Sequence, residues 1–139
     1  YAYKISRKFK DIGSQTFFYG FKDHDFVLEK MKNTSIIVIP SLWEEPFGLV
    51  ASESMSAGIA IIASKIGGIP EIIGNNGILI ESINYLKLRK ALIELINNKE
   101  KRECFQKLAW DNFKLSSVNS SKKLDNYRNF ILTRASLNN

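Results

Sequence analysis

The sequence predicts an α/β fold in which helices cover both faces of a parallel β-sheet. Short continuous apolar runs, such as residues 35–39 and 59–63, alternate along the chain with longer amphipathic patterns. Continuous apolar strands are typical of parallel sheets, and their alternation with helices indicates repeated strand–helix units. The 139 residues, of which 45% are hydrophobic, suit a single domain of this kind.

The elements are expected in the following order through the first part of the chain. Residues 2–12 have the spacing of a short amphipathic helix, and the apolar run 16–19 predicts a buried strand. Asp23 provides negative charge at the start of a helix that continues over residues 26–32. The run 35–39 predicts the next strand.

The middle of the chain continues the alternation of helices and strands. Pro46 marks the first turn of a helix that runs to about Ala57, where Gly58 ends it. Residues 59–63 predict a strand, and residues 67–70, G-G-I-P, predict a turn. A short strand follows over residues 78–80.

The last part of the chain is predicted to be helical and carries the basic excess. Helices are expected from Asn84 to about residue 98, over 99–113 and over 117–134. Residues 99–139 hold nine Lys and Arg against four Asp and Glu. This excess is either a solvated helical surface or a patch for an anionic membrane or a phosphorylated ligand. The aromatic side chains here have helical spacing, which favours core contacts over nucleic-acid binding.

The composition excludes several classes of protein. One Cys and one His exclude an internal disulfide framework and metal sites built from Cys or His clusters. No apolar run approaches the roughly 18 residues of a membrane span. Residues 1–12 are basic without the apolar stretch of a signal peptide, so we expect a cytoplasmic protein.

The segment that follows the strand at 35–39 indicates a ligand site. In a parallel sheet this junction lies at the carboxyl ends of the strands, where ligands bind. Amide groups that have no helical acceptor, together with the helix dipole, form an anion site suited to phosphate. These amides are expected at Phe47, Gly48, Leu49 and Val50.

Two carboxylates lie beside this predicted anion site. Glu45 precedes the helix and Glu53 lies about two turns further on, where both side chains could face one cleft. Carboxylates accept hydrogen bonds from sugar hydroxyls, which favours a phosphorylated sugar as ligand. The alternative is that Glu45 caps the helix and Glu53 is a solvated surface residue.

Residues 45–53, E-P-F-G-L-V-A-S-E, resemble the E-x7-E motif of the retaining GT-B glycosyltransferases of family 4, the glycosyl transferases group 1. Neighbouring segments resemble the family in the same order: F-F-Y-G, I-V-I-P-S, S-M-S-A-G, I-I-A-S, G-G-I-P-E-I-I and G-I-L. The resemblance covers about residues 10–98 and departs only mildly, with Ala60 where proline is usual. It implies a partial Rossmann-like sheet, the second half of a GT-B C-terminal domain, over residues 1–98. Residues 99–139 would add helices to the same domain.

The resemblance implies roles for the matching residues. Glu45 would be the catalytic residue that contacts the transferred sugar, and Glu53 would bind the ribose of a nucleotide-sugar donor. The family requires no metal ion, so no metal or other cofactor is expected. Further donor contacts are expected at Phe47, Gly48, Leu49, Val50, Phe21 and Lys22, with Gly67 and Gly68 in a loop near the donor.

The function that the resemblance implies is transfer of a sugar, with retention, to a glycan or lipid-linked acceptor of the lipopolysaccharide or capsule type. The basic end would suit peripheral contact with the inner face of the plasma membrane. The family's domain begins with further strands that carry an Arg and a Lys for the diphosphate, and a separate N-terminal domain holds the acceptor. This chain begins at Tyr1 without them, so we expect it to be inactive alone.

Two other interpretations stay open. One is a non-catalytic donor-binding half, or an inactive remnant, that needs a separate N-terminal partner. The other is an unrelated α/β nucleotide-binding module.

The resemblance also predicts the arrangement of the strands. In the family's usual strand order, 3-2-1-4-5-6, this chain would hold strands 3, 4, 5 and 6. Strand 4, at residues 35–39, would then have an open edge.

Overall fold

The computed structural model describes residues 16–114 together with residues 119, 121–122, 124–126 and 128–129. The helix expected over residues 2–12 lies outside the described residues. The described residues from 119 to 129 are helical, and the rest of the helix expected over 117–134 lies outside them. The chain divides into two compact units, residues 1–33 and 34–139.

In the first unit, helix α1 spans His24–Met31 and confirms the predicted helix. The Asp23 carboxylate caps it by accepting a hydrogen bond from the Phe26 amide at 2.9 Å. The strand predicted over residues 16–19 is wrong, because these residues have no regular structure and are exposed. A strand needs a neighbouring strand for its backbone groups, and the described part of this unit provides none. The ring of Tyr19 instead packs edge-on against Phe26, with 5.2 Å between centroids.

The second unit contains a three-stranded sheet. Its strands are β1 (Ile36–Ile39), β2 (Ala60–Ser64) and β3 (Gly77–Ile80), in the order β1-β2-β3. Both strand pairs are parallel, which confirms the predicted sheet type. Within the described residues the sheet has three strands and not the expected four, because residues 16–19 form no strand. In that part of the chain β1 pairs only with β2.

Besides the helical residues between 119 and 129, the described part of this unit contains the helices α2 (Leu49–Ser56), α3 (Ile69–Ile73), α4 (Tyr85–Asn97) and α5 (Lys99–Asn112). Helix α2 ends as predicted at Gly58, which has a φ of +64°. The Gly58 amide donates to the Met55 carbonyl at 3.0 Å and the Ile59 amide donates to the Ser54 carbonyl at 3.1 Å. This pair of bonds is a Schellman motif, which a left-handed glycine permits and which turns the chain directly into β2.

Apolar side chains cover both faces of the sheet. Strand β2 is buried throughout. On one face Ile61 and Ala63 pack against α2, α3 and α5, and on the other face Ala60 and Ile62 pack against α4. The continuous apolar sequence of β2 follows from this burial on both sides.

Two predicted boundaries are wrong, and both adjoin the carboxyl end of the sheet. Helix α2 begins at Leu49 and not at Pro46, because residues 44–47 form an irregular loop bonded to other segments. The predicted turn over residues 67–70 is confined to Gly67 and Gly68, since Ile69 and Pro70 already belong to α3. Proline suits the first turn of a helix, where its missing N–H is not needed.

Candidate functional site

The loop of residues 44–48, which we call the Glu45 loop, joins the carboxyl end of β1 to α2. Its last residue, Gly48, is the N-cap of α2 with a φ of +79°. A Cβ at Gly48 would lie 3.1 Å from Ile69 Cγ1, so a larger residue would be strained in backbone and in packing. Two structural reasons therefore favour glycine at this position, the left-handed backbone and the packing against Ile69.

The N-terminus of α2 has no side-chain cap. The first helical hydrogen bonds are made by the Ala51 and Ser52 amides, which donate to the Gly48 carbonyl at 3.0 and 3.2 Å. The amides of Leu49 and Val50 precede these bonds, at the positive end of the helix dipole. Leu49 and Val50 therefore occupy the helix start as predicted, whereas Phe47 and Gly48 precede the helix.

The carboxylate and the backbone of Glu45 are both held in place. Ser41 Oγ donates a hydrogen bond to Glu45 Oε1, and the Gly68 amide donates to the Glu45 carbonyl at 2.8 Å. Glu45 is half-buried. Its carboxylate is thus bonded to a side chain before the helix and does not cap α2. The contribution of Ser41 was missed because a serine after a strand carries no distinctive sequence signal.

Gly67 and Gly68, which we call the glycine turn, pack directly on the Glu45 loop. A Cβ at Gly67 would lie 2.4 Å from the Glu45 carbonyl oxygen, and a Cβ at Gly68 would lie 2.5 Å from the Pro46 carbonyl oxygen. Only glycine permits these approaches of backbone to backbone. Since the Gly68 amide already bonds the Glu45 loop, the glycine turn positions that loop, and this amide is not available to cradle a phosphate.

The other predicted donor contacts lie in different parts of the chain. Glu53 is half-buried in α2, four residues after Leu49. Phe21 and Lys22 belong to the unit of residues 1–33, where Lys22 Nζ lies 5.1 Å from the centroid of the Phe26 ring. The shared cleft for Glu45 and Glu53, and the approach of Phe21 and Lys22 to a base, stay predictions.

Two of the clefts in the second unit bear on a ligand site. One, of about 520 Å³, is lined in part by Pro46, Phe47, Gly68 and Glu71, and Phe47 is an exposed aromatic side chain. This cleft contacts the Glu45 loop and the glycine turn, but Glu45 itself and the first residues of α2 are not among its lining residues.

The second cleft, of about 680 Å³, lies between β3 and α4 and is lined in part by Lys65, Lys87 and Lys90. Lys65 Nζ lies 2.6 Å from Glu81 Oε1, and this hydrogen bond lowers the pKa of the Glu81 carboxyl. Lys87 Nζ donates to the Glu81 carbonyl at 2.6 Å. Two of the three ammonium groups thus already bond protein oxygens, which weakens this cleft as a phosphate site.

Metal and membrane features were sought within the described ranges. There, no three His, Cys, Asp or Glu side chains are grouped so that they could hold a metal ion. No helix among the described residues combines the length and apolar character needed to cross a bilayer.

A known family model matches the part of the chain that contains the sheet and the candidate site. The family model for glycosyl transferases group 1 matches residues 3–109, which include the whole sheet, the Glu45 loop and the glycine turn. The chain belongs to the glycosyl transferases group 1. Its fold matches GT-B C-terminal domains, as the resemblance implied.

Two curated glycosyltransferases are similar to most of this chain. An uncharacterised glycosyltransferase of Methanocaldococcus jannaschii is 34% identical over 116 residues, which are 76% of this chain and 30% of the relative. The lipopolysaccharide 1,2-N-acetylglucosaminetransferase of Salmonella typhimurium is 32% identical over 124 residues, 81% of this chain and 32% of the relative. The chain thus spans a third or less of the length of these relatives.

Two solved structures are similar to most of the chain. The C-terminal domain of a group 1 protein (LpcC) from Francisella tularensis has a TM-score of 0.71 at 29% identity, covering 82% of this chain and 63% of that one. The Anabaena protein HepE in complex with UDP-glucose has a TM-score of 0.68 at 23% identity, covering 91% and 37%. The second likeness is one of fold alone.

Proposed function

We propose that this chain is the donor-binding part of a retaining glycosyltransferase that uses a nucleoside diphosphate sugar. The observation that carries the proposal is the junction of β1 and α2. There an uncapped helix N-terminus follows the carboxyl end of a parallel strand. Beside it lies Glu45, whose carboxylate accepts a hydrogen bond from Ser41 and whose backbone carbonyl accepts one from Gly68. Such a junction suits a diphosphate next to a sugar with several hydroxyls.

Each part of the junction has a chemical task in this proposal. The amides of Leu49 and Val50 bind the diphosphate, Glu53 accepts from the ribose hydroxyls, and Glu45 accepts from hydroxyls of the transferred sugar. As the nucleoside diphosphate leaves, negative charge grows on its phosphates. Fixed amides and a helix dipole stabilise that charge more strongly in the transition state than in the ground state. We propose that the reaction proceeds without a metal ion.

The donor and the acceptor are proposed from the relatives. A structural neighbour of the same fold was solved with UDP-glucose, so a uridine diphosphate sugar is the donor that we propose to test first. The Salmonella relative is named for lipopolysaccharide synthesis, which supports a cell-surface glycan as acceptor. The acceptor and the complete reaction belong to a longer assembly, because the chain spans a third or less of these curated relatives.

The open edge of β1 favours a second form of the proposal, in which this chain binds donor but needs a complementing polypeptide for transfer. β1 is apolar, and within the described residues only one of its two edges is paired. An unpaired apolar edge is a template for another strand. In this form the chain binds nucleotide sugar and catalyses no transfer alone.

The charge pairs of α5 favour the interpretation that the basic excess on this helix is a solvated surface. Lys99 pairs with Glu103 and Lys107 with Asp111, at distances of 3.6 and 2.6 Å. Lysines paired along a helix face stay in water and add little attraction for a membrane. We propose membrane contact only for the basic residues that follow α5.

Thermal unfolding with nucleotide sugars tests the proposed function. The chain is melted alone and with millimolar UDP-glucose, GDP-mannose or ADP-glucose. A ligand at a hundredfold excess over its dissociation constant adds about 2.7 kcal/mol, which raises the melting temperature by roughly 5–10 °C. We expect this rise with UDP-glucose. A cooperative melt that no nucleotide sugar shifts would contradict donor binding.

A further inference from the structure

Ser41 is a buried polar residue for which the donor-binding scheme above has no use. It lies two residues after the end of β1 and is only 8% exposed. Its hydroxyl donates a hydrogen bond to Glu45 Oε1, four residues further along the chain. Buried hydroxyls need a partner, and this one is bonded to the carboxylate assigned above to the transferred sugar.

Glu45 is held at two points as a result. The Ser41 hydroxyl fixes one carboxylate oxygen, and the Gly68 amide fixes the backbone carbonyl of the same residue at 2.8 Å. A carboxylate has two oxygens and about four lone-pair sites, so Oε2 retains its capacity to accept from a ligand hydroxyl. A glutamate side chain that is already ordered loses less rotamer entropy when the ligand binds.

We propose that Ser41 is a positioning residue that holds the Glu45 carboxylate for recognition of the transferred sugar. This inference rests on the proposed function, since it requires that Glu45 contacts the sugar. Ser41 acts through Glu45 and does not touch the donor. Its loss should therefore weaken binding of the sugar portion of the donor and leave binding of the nucleotide portion unchanged.

Ser64 provides a matched control within the same sheet. It ends the neighbouring strand β2, is 3% exposed and is equally small. Its Oγ has no hydrogen-bond partner among the described residues, in contrast to the Ser41 hydroxyl. Replacing either serine by alanine removes one buried oxygen at a strand end, but only Ser41→Ala removes a bond to Glu45.

The test compares the affinities of UDP-glucose and UDP for four chains by calorimetric titration: wild type, Ser41→Ala, Ser41→Thr and Ser64→Ala. We expect Ser41→Ala to weaken UDP-glucose by roughly two- to tenfold, because the freed Glu45 side chain must then be ordered when the sugar binds. UDP should change less than about twofold, within the range of substitutions that touch nothing at a site. Ser41→Thr keeps the hydroxyl and should restore the affinity, and Ser64→Ala should match wild type.

Two results would overturn the proposal. Equal weakening of UDP and UDP-glucose by Ser41→Ala would show a general structural effect, and unchanged affinity for both would show that the bond to Glu45 has no influence on the sugar. Melting curves of all four chains establish that each variant is folded.

Crystal structures of ligand-free wild type and Ser41→Ala decide the same point without a ligand. We expect the Glu45 side chain to be ordered in wild type and to lose its single conformation in Ser41→Ala. An unchanged Glu45 conformation in the variant would overturn the positioning role. If wild type binds neither UDP-glucose nor UDP, the proposed function fails, whereas these two structures still decide whether Ser41 orders Glu45.

Discussion

Replacement of Gly67 by alanine should disrupt the contact that shapes the candidate site. Gly67 has a φ of +55°, and a Cβ there would lie 2.4 Å from the Glu45 carbonyl oxygen and 2.6 Å from the Glu45 nitrogen. Both atoms are backbone and cannot rotate away. The variant Gly67→Ala must therefore strain its own backbone and also displace the Glu45 loop.

Gly58 separates these two effects. Its φ of +64° is similar, but a Cβ there would meet nothing closer than 3.6 Å. Gly58→Ala should lose only the roughly 1–2 kcal/mol that a left-handed conformation costs an alanine. Gly67→Ala should lose this amount plus roughly 1–3 kcal/mol for the steric overlap, so its free energy of unfolding should lie roughly 1–3 kcal/mol below that of Gly58→Ala.

The assay is urea unfolding of wild type and the two variants, followed by circular dichroism and extrapolated to zero urea. Titration with UDP-glucose is added for each folded chain. We expect Gly67→Ala to lose stability and donor affinity together, and Gly58→Ala to retain the affinity. Equal losses of stability in the two variants would refute the close approach of the glycine turn to the Glu45 loop.

Two further predictions concern interactions outside the site. The hydrogen bond from Lys65 lowers the pKa of the Glu81 carboxyl from its usual 4.5. The pair therefore stabilises the fold fully above pH 4.5, and this stabilisation is lost as the pH falls through the lowered pKa. The melting temperature of Glu81→Gln should therefore lie slightly below that of wild type at pH 7 and converge with it in acid; parallel curves at all pH values would contradict this. Arg102 donates to the carbonyls of Leu95 and Ile96 at 2.7 and 3.1 Å, at the end of α4. Arg102→Ala should lower the free energy of unfolding by about 1.5–3 kcal/mol, measured by urea unfolding, and a loss that Arg102→Gln fully repairs would show that the charge is not needed.

Much of the sheet could be predicted because its signals are local. The runs around Ile37, Ile61 and Leu79 are continuous and apolar, and each is bounded by residues that end strands. The end of α2 could be predicted from Gly58, because a left-handed glycine after a helix allows the following amides to bond the last helical carbonyls. These features depend on neighbours in sequence, so they can be read without the fold.

The errors arose where the structure depends on distant partners. Residues 16–19 have strand composition, but strand formation requires a paired neighbour, which composition does not supply. The start of α2 moved from Pro46 to Leu49 because the Glu45 loop is bonded to Gly68, which lies more than twenty residues away in sequence. The bond from Ser41 to Glu45 was missed for a different reason. The two residues are only four apart in sequence, but no regular structure in the loop predicts that the hydroxyl reaches the carboxylate.

The most direct test of donor binding at the junction of β1 and α2 is a crystal structure of the chain with UDP-glucose. Our account predicts the diphosphate within hydrogen-bond distance of the Leu49 or Val50 amide, the ribose at Glu53 and the glucose at the Glu45 carboxylate. A diphosphate bound instead by Lys87 and its neighbours, in the cleft between β3 and α4, would contradict it.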